Sequence, residues 1–374
     1  MDPRAEAWYR RRTSQWQDWP LDGLLERKRL GGTRISVVIP ARNEEGTVAG
    51  VVGPLRQALV SDAPLVDELV VIDSDSTDTT SAAAAAAGAI VYRARDIAPE
   101  LGAYRGKGEA LWKSLLVTSG DVVVFVDADL TQWGPHFVTG LLGPLLADPD
   151  VRLVKGFYDR VRTEEDGSVS TEGGRVTELV ARPLLSLWWP VLAAVVQPLA
   201  GEWAARRTLM ESLSIPVGYG VELSTLLDTS ARYGLNALAQ VDLGSRAHRH
   251  QANHDLGVMA AELLALAENR RSGPHRLIAD VTLEQFVRDG DRVVQQSRPV
   301  PTYERPPAGG VRAAGRGGRG DDVPTRGGPT VGGVLDAGRG GRAEEVPTHG
   351  DPARVARAAG CGGRADGVQR APAG

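Results

Sequence analysis

Cysteine is nearly missing from this sequence: 374 residues carry one, Cys361. A single thiol makes no intramolecular disulfide and no cysteine-based zinc site, so a reducing, cytoplasmic setting is expected. No secretory leader is expected either, because Met1–Arg29 is charged throughout, contains Trp8, Trp16 and Trp19, and has no apolar core. Long hydrophobic runs are scarce. The uncharged stretch Pro183–Gly201 spans 19 residues but holds three prolines and a glutamine, which suits a buried, proline-interrupted helical segment rather than a membrane span. Excess positive charge is absent as well. A net charge of −4 argues against a protein that lives by non-specific nucleic-acid binding, and no specific nucleic-acid partner is expected.

These shortages are unevenly spread. Arg305–Gly374 contains no Lys, Phe, Trp or Tyr, while Gly, Arg and Pro supply 37 of its 70 residues. So little apolar surface cannot offset the entropy of ordering, and residues 301–374 are expected to be a disordered Gly/Arg/Pro-rich tail. The tail carries a formal +4 and residues 1–304 carry −8. An acidic, cysteine-free globule is therefore followed by a segment of another kind.

Within the globule, strand and helix signals alternate. Ile35–Ile39, Glu68–Asp73, Ala89–Tyr92 and Asp121–Asp127 are short β-branched or apolar runs. Helical spacing fills Glu45–Val60, the Ala-rich stretch from Asp78 to Gly88, and Lys107–Thr118. Residues 1–33 read as a helical lead-in. Such alternation predicts an α/β fold with a mainly parallel central sheet, whose ligands gather at the carboxyl ends of the strands.

Three of those ends are polar: Ile39–Glu45, Val71–Asp78 and Asp127-Ala-Asp129. Residues i and i+2 of a strand point to one side, so Asp127 and Asp129 present two carboxylates together. Oxygen ligands of that kind suit a hard divalent cation, Mg²⁺ or Mn²⁺, bridging to a diphosphate. For Glu44 and Asp73 a capping or turn-forming role is equally compatible with the sequence.

Together these motifs resemble the nucleotide-sugar-binding half of a GT-A (Rossmann-like) glycosyltransferase. Four later segments narrow the resemblance: Gly173–Thr177, Gln197–Glu202, Gly218–Glu222 and Gly244–His250. With them, the stretch from Ser36 to Gln296 resembles the glucosyl-3-phosphoglycerate synthases, retaining enzymes of glycosyltransferase family 81. The resemblance implies transfer of glucose from UDP-glucose to 3-phosphoglycerate. It implies a donor half at 34–150, an acceptor half with C-terminal helices at 151–300, and a homodimer formed through a helical region Asp255–Gln296.

Residue by residue, the resemblance puts Pro40, Ala41, Glu44, Ser74, Lys107, Asp127, Asp129, Tyr219, Glu222 and Arg246 at the donor. It puts Gly174, Arg175, Thr177 and His250 at the acceptor, and Asp129 and His248 on the metal. Leu199 (through its main-chain carbonyl), Glu222, Arg246 and Lys107 are implied at the reacting centre. At His250 the family commonly has Asn, so altered pH dependence of acceptor binding is expected there. Three rival readings remain open from sequence: a mannosyl or polyprenyl-phosphate transferase, a nucleotidyltransferase, and a non-catalytic scaffold acting through the Arg-Gly tail.

Overall fold

The computed structural model describes residues 2–160, 162–163, 169–170, 174–246, 253–273 and 278–316. In the lead-in, α1 (Pro3–Arg12) buries Trp8, whose indole N–H donates to the carbonyl of Leu238 at 2.9 Å. Strand β1 (Thr13–Gln15) and α2 (Leu21–Gly31) follow. The alternating region then reads β2 (Ile35–Ala41), α3 (Val48–Arg56), β3 (Glu68–Asp73), α4 (Thr80–Ala86), β4 (Ile90–Arg93), α5 (Lys107–Val117), β5 (Val122–Phe125) and α6 (His136–Ala147).

Beyond it come β6 (Leu153–Arg160), the short pair β7 (Arg162–Thr163) and β8 (Val169–Ser170), α7 (Arg182–Trp188) and β9 (Trp203–Arg206). Next are α8 (Arg207–Met210), β10 (Ile215–Pro216), α9 (Val221–Tyr233) and β11 (Leu238–Arg246). The last described elements are α10 (Asn253–Ser272), β12 (Val281–Asp289), β13 (Arg292–Val300), β14 (Glu304–Arg305) and α11 (Ala308–Arg316).

Eight strands form the central sheet in the order β1-β11-β6-β9-β5-β2-β3-β4. All neighbours are parallel except β9, which runs antiparallel to both β5 and β6. Strand residues alternate between two hydrophobic layers. Val38, Val70, Ile72, Val123 and Phe125 face α5 with Leu111 and Trp112. Val37, Ile39, Val71, Val122 and Val124 face α3 and α6 with Val51, Leu55, Phe137 and Leu141. Burial on both faces explains the near-continuous apolar runs.

Strand order reverses beside β2: the chain builds β3 and β4 on one side, then returns to place β5 on the other. Loops leaving two such strands diverge to opposite faces of the sheet and open a crevice at their carboxyl ends. Here that crevice lies between Pro40-Ala41 and the Asp127–Asp129 segment.

Three expectations need correction. The lead-in is not wholly helical, since β1 extends the sheet alongside β11. The region Asp255–Gln296 is helical only as far as Ser272; beyond it β12 and β13 pair as an antiparallel hairpin from Val281↔Val300 to Asp289↔Arg292. Finally, residues 301–316 are folded rather than part of a disordered tail. Glu304 and Arg305 pair with β10, and Arg305 is buried in a fork on Glu109 at 2.6 and 2.7 Å while lying over the rings of Tyr104 and Trp112. Arg312 reaches the carbonyl of Leu115 at the other end of α5 at 3.0 Å. Composition averaged over seventy residues conceals these two anchoring arginines. Residues 317–374, including Cys361, lie outside the described residues.

Candidate active site

Asp127 stands just past β5, where the backbone leaves the sheet at the strand-order reversal. Its carboxylate accepts from Lys107 Nζ at 2.5 Å and lies 3.8 Å from Arg246 Nη1. Lys107 is the first residue of α5 and also pairs with Glu222 Oε1 at 2.8 Å; Glu222 lies in the first turn of α9. Arg246 ends β11 and pairs with the fully buried Glu202 at 2.5 Å, its guanidinium 4.5 Å from the centre of the Tyr158 ring. Five charged side chains from five parts of the chain thus form one line: Glu222, Lys107, Asp127, Arg246 and Glu202.

The electrostatics follow from that geometry. Burial works against the Lys107 ammonium, yet Asp127 and Glu222 hold it well above its ordinary range. Burial likewise opposes the Arg246 guanidinium, but Glu202, Tyr158 and Asp127 keep its pKa raised. Asp129 shows the opposite pattern. Burial, then the negative charge of Asp127, pushes its carboxyl upward, and among the described residues it makes no hydrogen bond or ion pair. A carboxylate pressed toward a like charge without a cation of its own fits a divalent metal.

Other expected residues fall near this line. Pro40 and Ala41 close β2, and Ser74 follows β3 with its amide on the carbonyl of Ala41 at 2.9 Å. Glu44 accepts from its neighbour Thr47 at 2.8 Å, the local turn role that sequence left open, and its charge also acts on Asp129. Asp73 is spent on its own turn, accepting from Ser76 N at 2.8 Å and from the Ser81 hydroxyl. Tyr219 is half-exposed just before α9. Among the described residues the carbonyl of Leu199 accepts no hydrogen bond, while the next carbonyl, that of Ala200, is held by Lys155 Nζ at 2.7 Å. Gly201 is required because a Cβ there would overlap the Asp127 carboxylate.

Gly174, Arg175 and Thr177 begin the helical segment that leads into α7; Gly174 has φ 78°, Arg175 is exposed and Thr177 is buried. His248 and His250 lie outside the described residues, and no group of three or more His, Cys, Asp or Glu suited to a metal occurs among the described ones.

Sequence reasoning missed three side chains. Lys155 is completely buried, and burial pushes its ammonium down to about 8. Glu202 was legible only as part of a segment, not as the partner of Arg246. Glu262 of α10 accepts the amide of Tyr219 at 2.6 Å, though its spacing on the helix is that of an ordinary acidic residue. A lone lysine within the apolar run Leu153–Tyr158 was the one available signal.

A mainly parallel sheet with two carboxylates and two cations at its strand-order reversal matches a glycosyltransferase of the GT-A type, and comparison with known proteins shows that class. A family model described as Glycosyl transferase family 2 matches residues 36–188. Glucosyl-3-phosphoglycerate synthase of Mycobacterium tuberculosis (strain CDC 1551 / Oshkosh) is 46% identical over 311 residues, covering 82% of this chain and 92% of its own. The enzyme of the same name from Petrotoga mobilis is 42% identical over 289 residues, covering 76% and 89%. The crystal structure of the M. tuberculosis enzyme with Mn²⁺, UDP and phosphoglyceric acid matches with a TM-score of 0.70 at 45% identity, covering 78% of this chain and 95% of that one. The chain belongs to the glucosyl-3-phosphoglycerate synthase family. The helical segment around Pro183–Gly201 is broken at Trp188, and among the described residues no helix is long and apolar enough to cross a membrane.

Proposed function

We propose that this glycosyltransferase moves glucose from UDP-glucose to 3-phosphoglycerate, giving glucosyl-3-phosphoglycerate and UDP with retention at the anomeric carbon. The observation that carries the reading is the line Glu222–Lys107–Asp127–Arg246–Glu202 beside Asp129. Counting Lys155 as protonated, the site holds four carboxylates against three cations, a net −1. A bound divalent cation turns this positive, which suits a doubly charged sugar diphosphate. Relatives support the substrates: M. tuberculosis structures contain UDP-glucose with Mn²⁺, and UDP with glucosyl-3-phosphoglycerate.

In this reading, residues 34–150 carry the nucleotide side of the donor, and 151–300 carry the acceptor together with the sugar-facing Tyr219 and Glu222, within one continuous sheet. Pro40, Ala41, Glu44 and Ser74 line the nucleoside side; Tyr219, Glu222 and Asp127 meet the sugar. Gly174, Arg175 and Thr177, with His250, hold the phosphate and carboxylate of the acceptor. Asp129 and His248 would hold Mg²⁺ or Mn²⁺, which when bound supplies Lewis-acid stabilisation of the departing diphosphate.

The side chains set the mechanism. Lys107 and Arg246 are fixed by ion pairs, so their positive charge needs no reorganisation as negative charge grows on the leaving group. Arg246 Nε is buried and makes no hydrogen bond among the described residues. Asp127 and Glu222 are both ion-paired to Lys107, which makes neither a free nucleophile. With both carboxylates committed to Lys107, this reading takes attack from the same face. The acceptor oxygen bonds to the anomeric carbon as the bond to the diphosphate breaks, and the hydroxyl proton passes to the leaving diphosphate oxygen. The Leu199 carbonyl is open to stabilise charge at the anomeric centre.

A panel of UDP- and GDP-sugars with and without 3-phosphoglycerate, scored by nucleotide release, tests the assignment. UDP release that requires both UDP-glucose and 3-phosphoglycerate is expected; equal turnover with GDP-mannose or a polyprenyl phosphate overturns it. A glucosyl-enzyme trapped by mass spectrometry would overturn same-face attack. A cytoplasmic setting and a homodimer complete the proposal.

A further inference from the structure

The N-termini of α5 and α9 both face the candidate donor site, and neither has a side-chain cap from its own sequence. Four donors at a helix start need partners, and helix starts attract anions. For α5 the partners come from the turn before α9. The amides of Gly108 and Glu109 donate to the carbonyls of Gly218 and Val217, each at 3.0 Å. The contact is tight enough that a Cβ at Gly108 would overlap the carbonyl of Pro216. For the turn that enters α9 the partner comes from another helix. Glu262 of α10 accepts the Tyr219 amide at 2.6 Å, and the Gly220 amide also reaches its carboxyl. A Cβ at Gly218 would overlap the Glu262 carboxylate.

We propose that Glu262 is a positioning residue for sugar-nucleotide binding, holding the Gly218–Gly220 turn so that Lys107 and Glu222 meet. This rests on the donor-site assignment above. The turn is clamped between α5 on one side and Glu262 on the other, and the helix starts it joins carry the two members of the 2.8 Å Lys107–Glu222 pair. Glu262 is 5% exposed and lines a small hollow with Pro216, Asn269, Thr302 and Glu304. Among the described residues its carboxyl has no basic partner. Burial pushes it up to about 7, with the charge of Glu222 adding to the effect and the two amides opposing it. One oxygen can accept the Tyr219 amide whether or not the group is protonated.

Steady-state titration of UDP-glucose at saturating 3-phosphoglycerate, on the full chain with Mn²⁺, tests the role. Glu262→Ala is expected to raise the donor KM about 10-fold or more, the worth of one hydrogen bond to a charged acceptor, with kcat and the acceptor KM within about 3-fold. Glu262→Gln keeps an acceptor oxygen and is expected to return the donor KM to within about 3-fold of wild type. Should the alanine variant not fold, Glu262→Asp, one methylene short of the turn, is expected to show the same rise. The proposal is overturned if the alanine or aspartate variant loses thermal stability at unchanged donor KM, if donor and acceptor KM rise together, or if the glutamine variant is as impaired as the alanine one. Lys107→Met, run alongside, separates the two levels. Its failure to impair donor use removes the donor-site assignment, and with it the proposal; impairment by Lys107→Met but not by Glu262→Ala removes this proposal alone.

Discussion

Lys107 stands between two carboxylates that would repel each other without it. Replacing it by Met leaves Asp127 and Glu222 near one another in a site where Lys107 is only 14% exposed. Removing one partner of a buried pair costs up to about 3–5 kcal/mol, so Lys107→Met should lower the melting temperature and reduce turnover at least 100-fold. Adding Glu222→Gln should restore part of the stability but none of the turnover, and calorimetry beside UDP release distinguishes the two effects. Glu262 yields a prediction in pH. Burial raises its folded-state pKa to about 7, with Glu222 facing it from α9 and the Arg270–Glu304 pair flanking the same hollow. The folded chain therefore binds this proton more tightly than the unfolded one. The stabilisation is complete below about pH 4.5 and is lost as pH rises to about 7. Relative to Glu262→Gln, wild type should lose on the order of 2–3 kcal/mol between pH 4.5 and 7.5 in denaturant titrations, with no further change above pH 8. At this scale the sequence pointed to Asp127 and Asp129 through their motif, and the structure places Asp127 between Lys107 and Arg246. The sequence was silent on Glu262, because a carboxylate that caps another helix looks like any exposed glutamate.

Helix α5 shows what the same reasoning could and could not see among elements. Its apolar positions and its start at Lys107 were readable from spacing alone. Its anchors were not, because they arrive nearly two hundred residues later. Arg305 binds Glu109 in its first turn, the carbonyl of Pro306 accepts from Trp112, and Arg312 meets the carbonyls of its last turn. Truncation after residue 300 should therefore depress the melting temperature by several degrees and weaken UDP-glucose binding through Lys107. Truncation after residue 316 should leave both unchanged. Arg305→Ala alone should reproduce most of the first effect, since it strands a buried carboxylate at Glu109. The sheet was legible for β2 to β5, whose strands are apolar and evenly spaced. β9 escaped notice because its run, Trp203–Arg206, is only four residues long and follows a proline-rich stretch. The hairpin β12–β13 was hidden for a related reason: polar residues alternate along it, so its strands carry little core signal.

For the whole molecule, charge and association set the expectations. With a net-negative site, chelation by EDTA should abolish turnover, and Mn²⁺ or Mg²⁺ should restore it. A rise in melting temperature on adding UDP should require the same metal, a binding readout independent of catalysis. On the hairpin, Phe286 is 63% exposed and Val293 is 60% exposed. Exposed apolar surface of this kind suits contact with a second copy of the chain. If the proposed homodimer forms through this face, Phe286→Glu with Val293→Glu should convert it to a monomer in sedimentation velocity without unfolding it.

The reversed strand β9 also has a consequence during synthesis. It fills the place between β5 and β6, yet it is made last of the three, roughly 80 residues after β5. At about 5–20 residues per second, the apolar edge of β5 waits on the order of 4–16 s for its partner. An unpaired, fully apolar strand edge is a template for association with other chains. A nascent chain stalled before Trp203 should therefore bind chaperones or aggregate more than one stalled just beyond Arg206, whose remaining open edge is that of β6 awaiting β11. Closing this sheet is a matter of timing as well as of sequence.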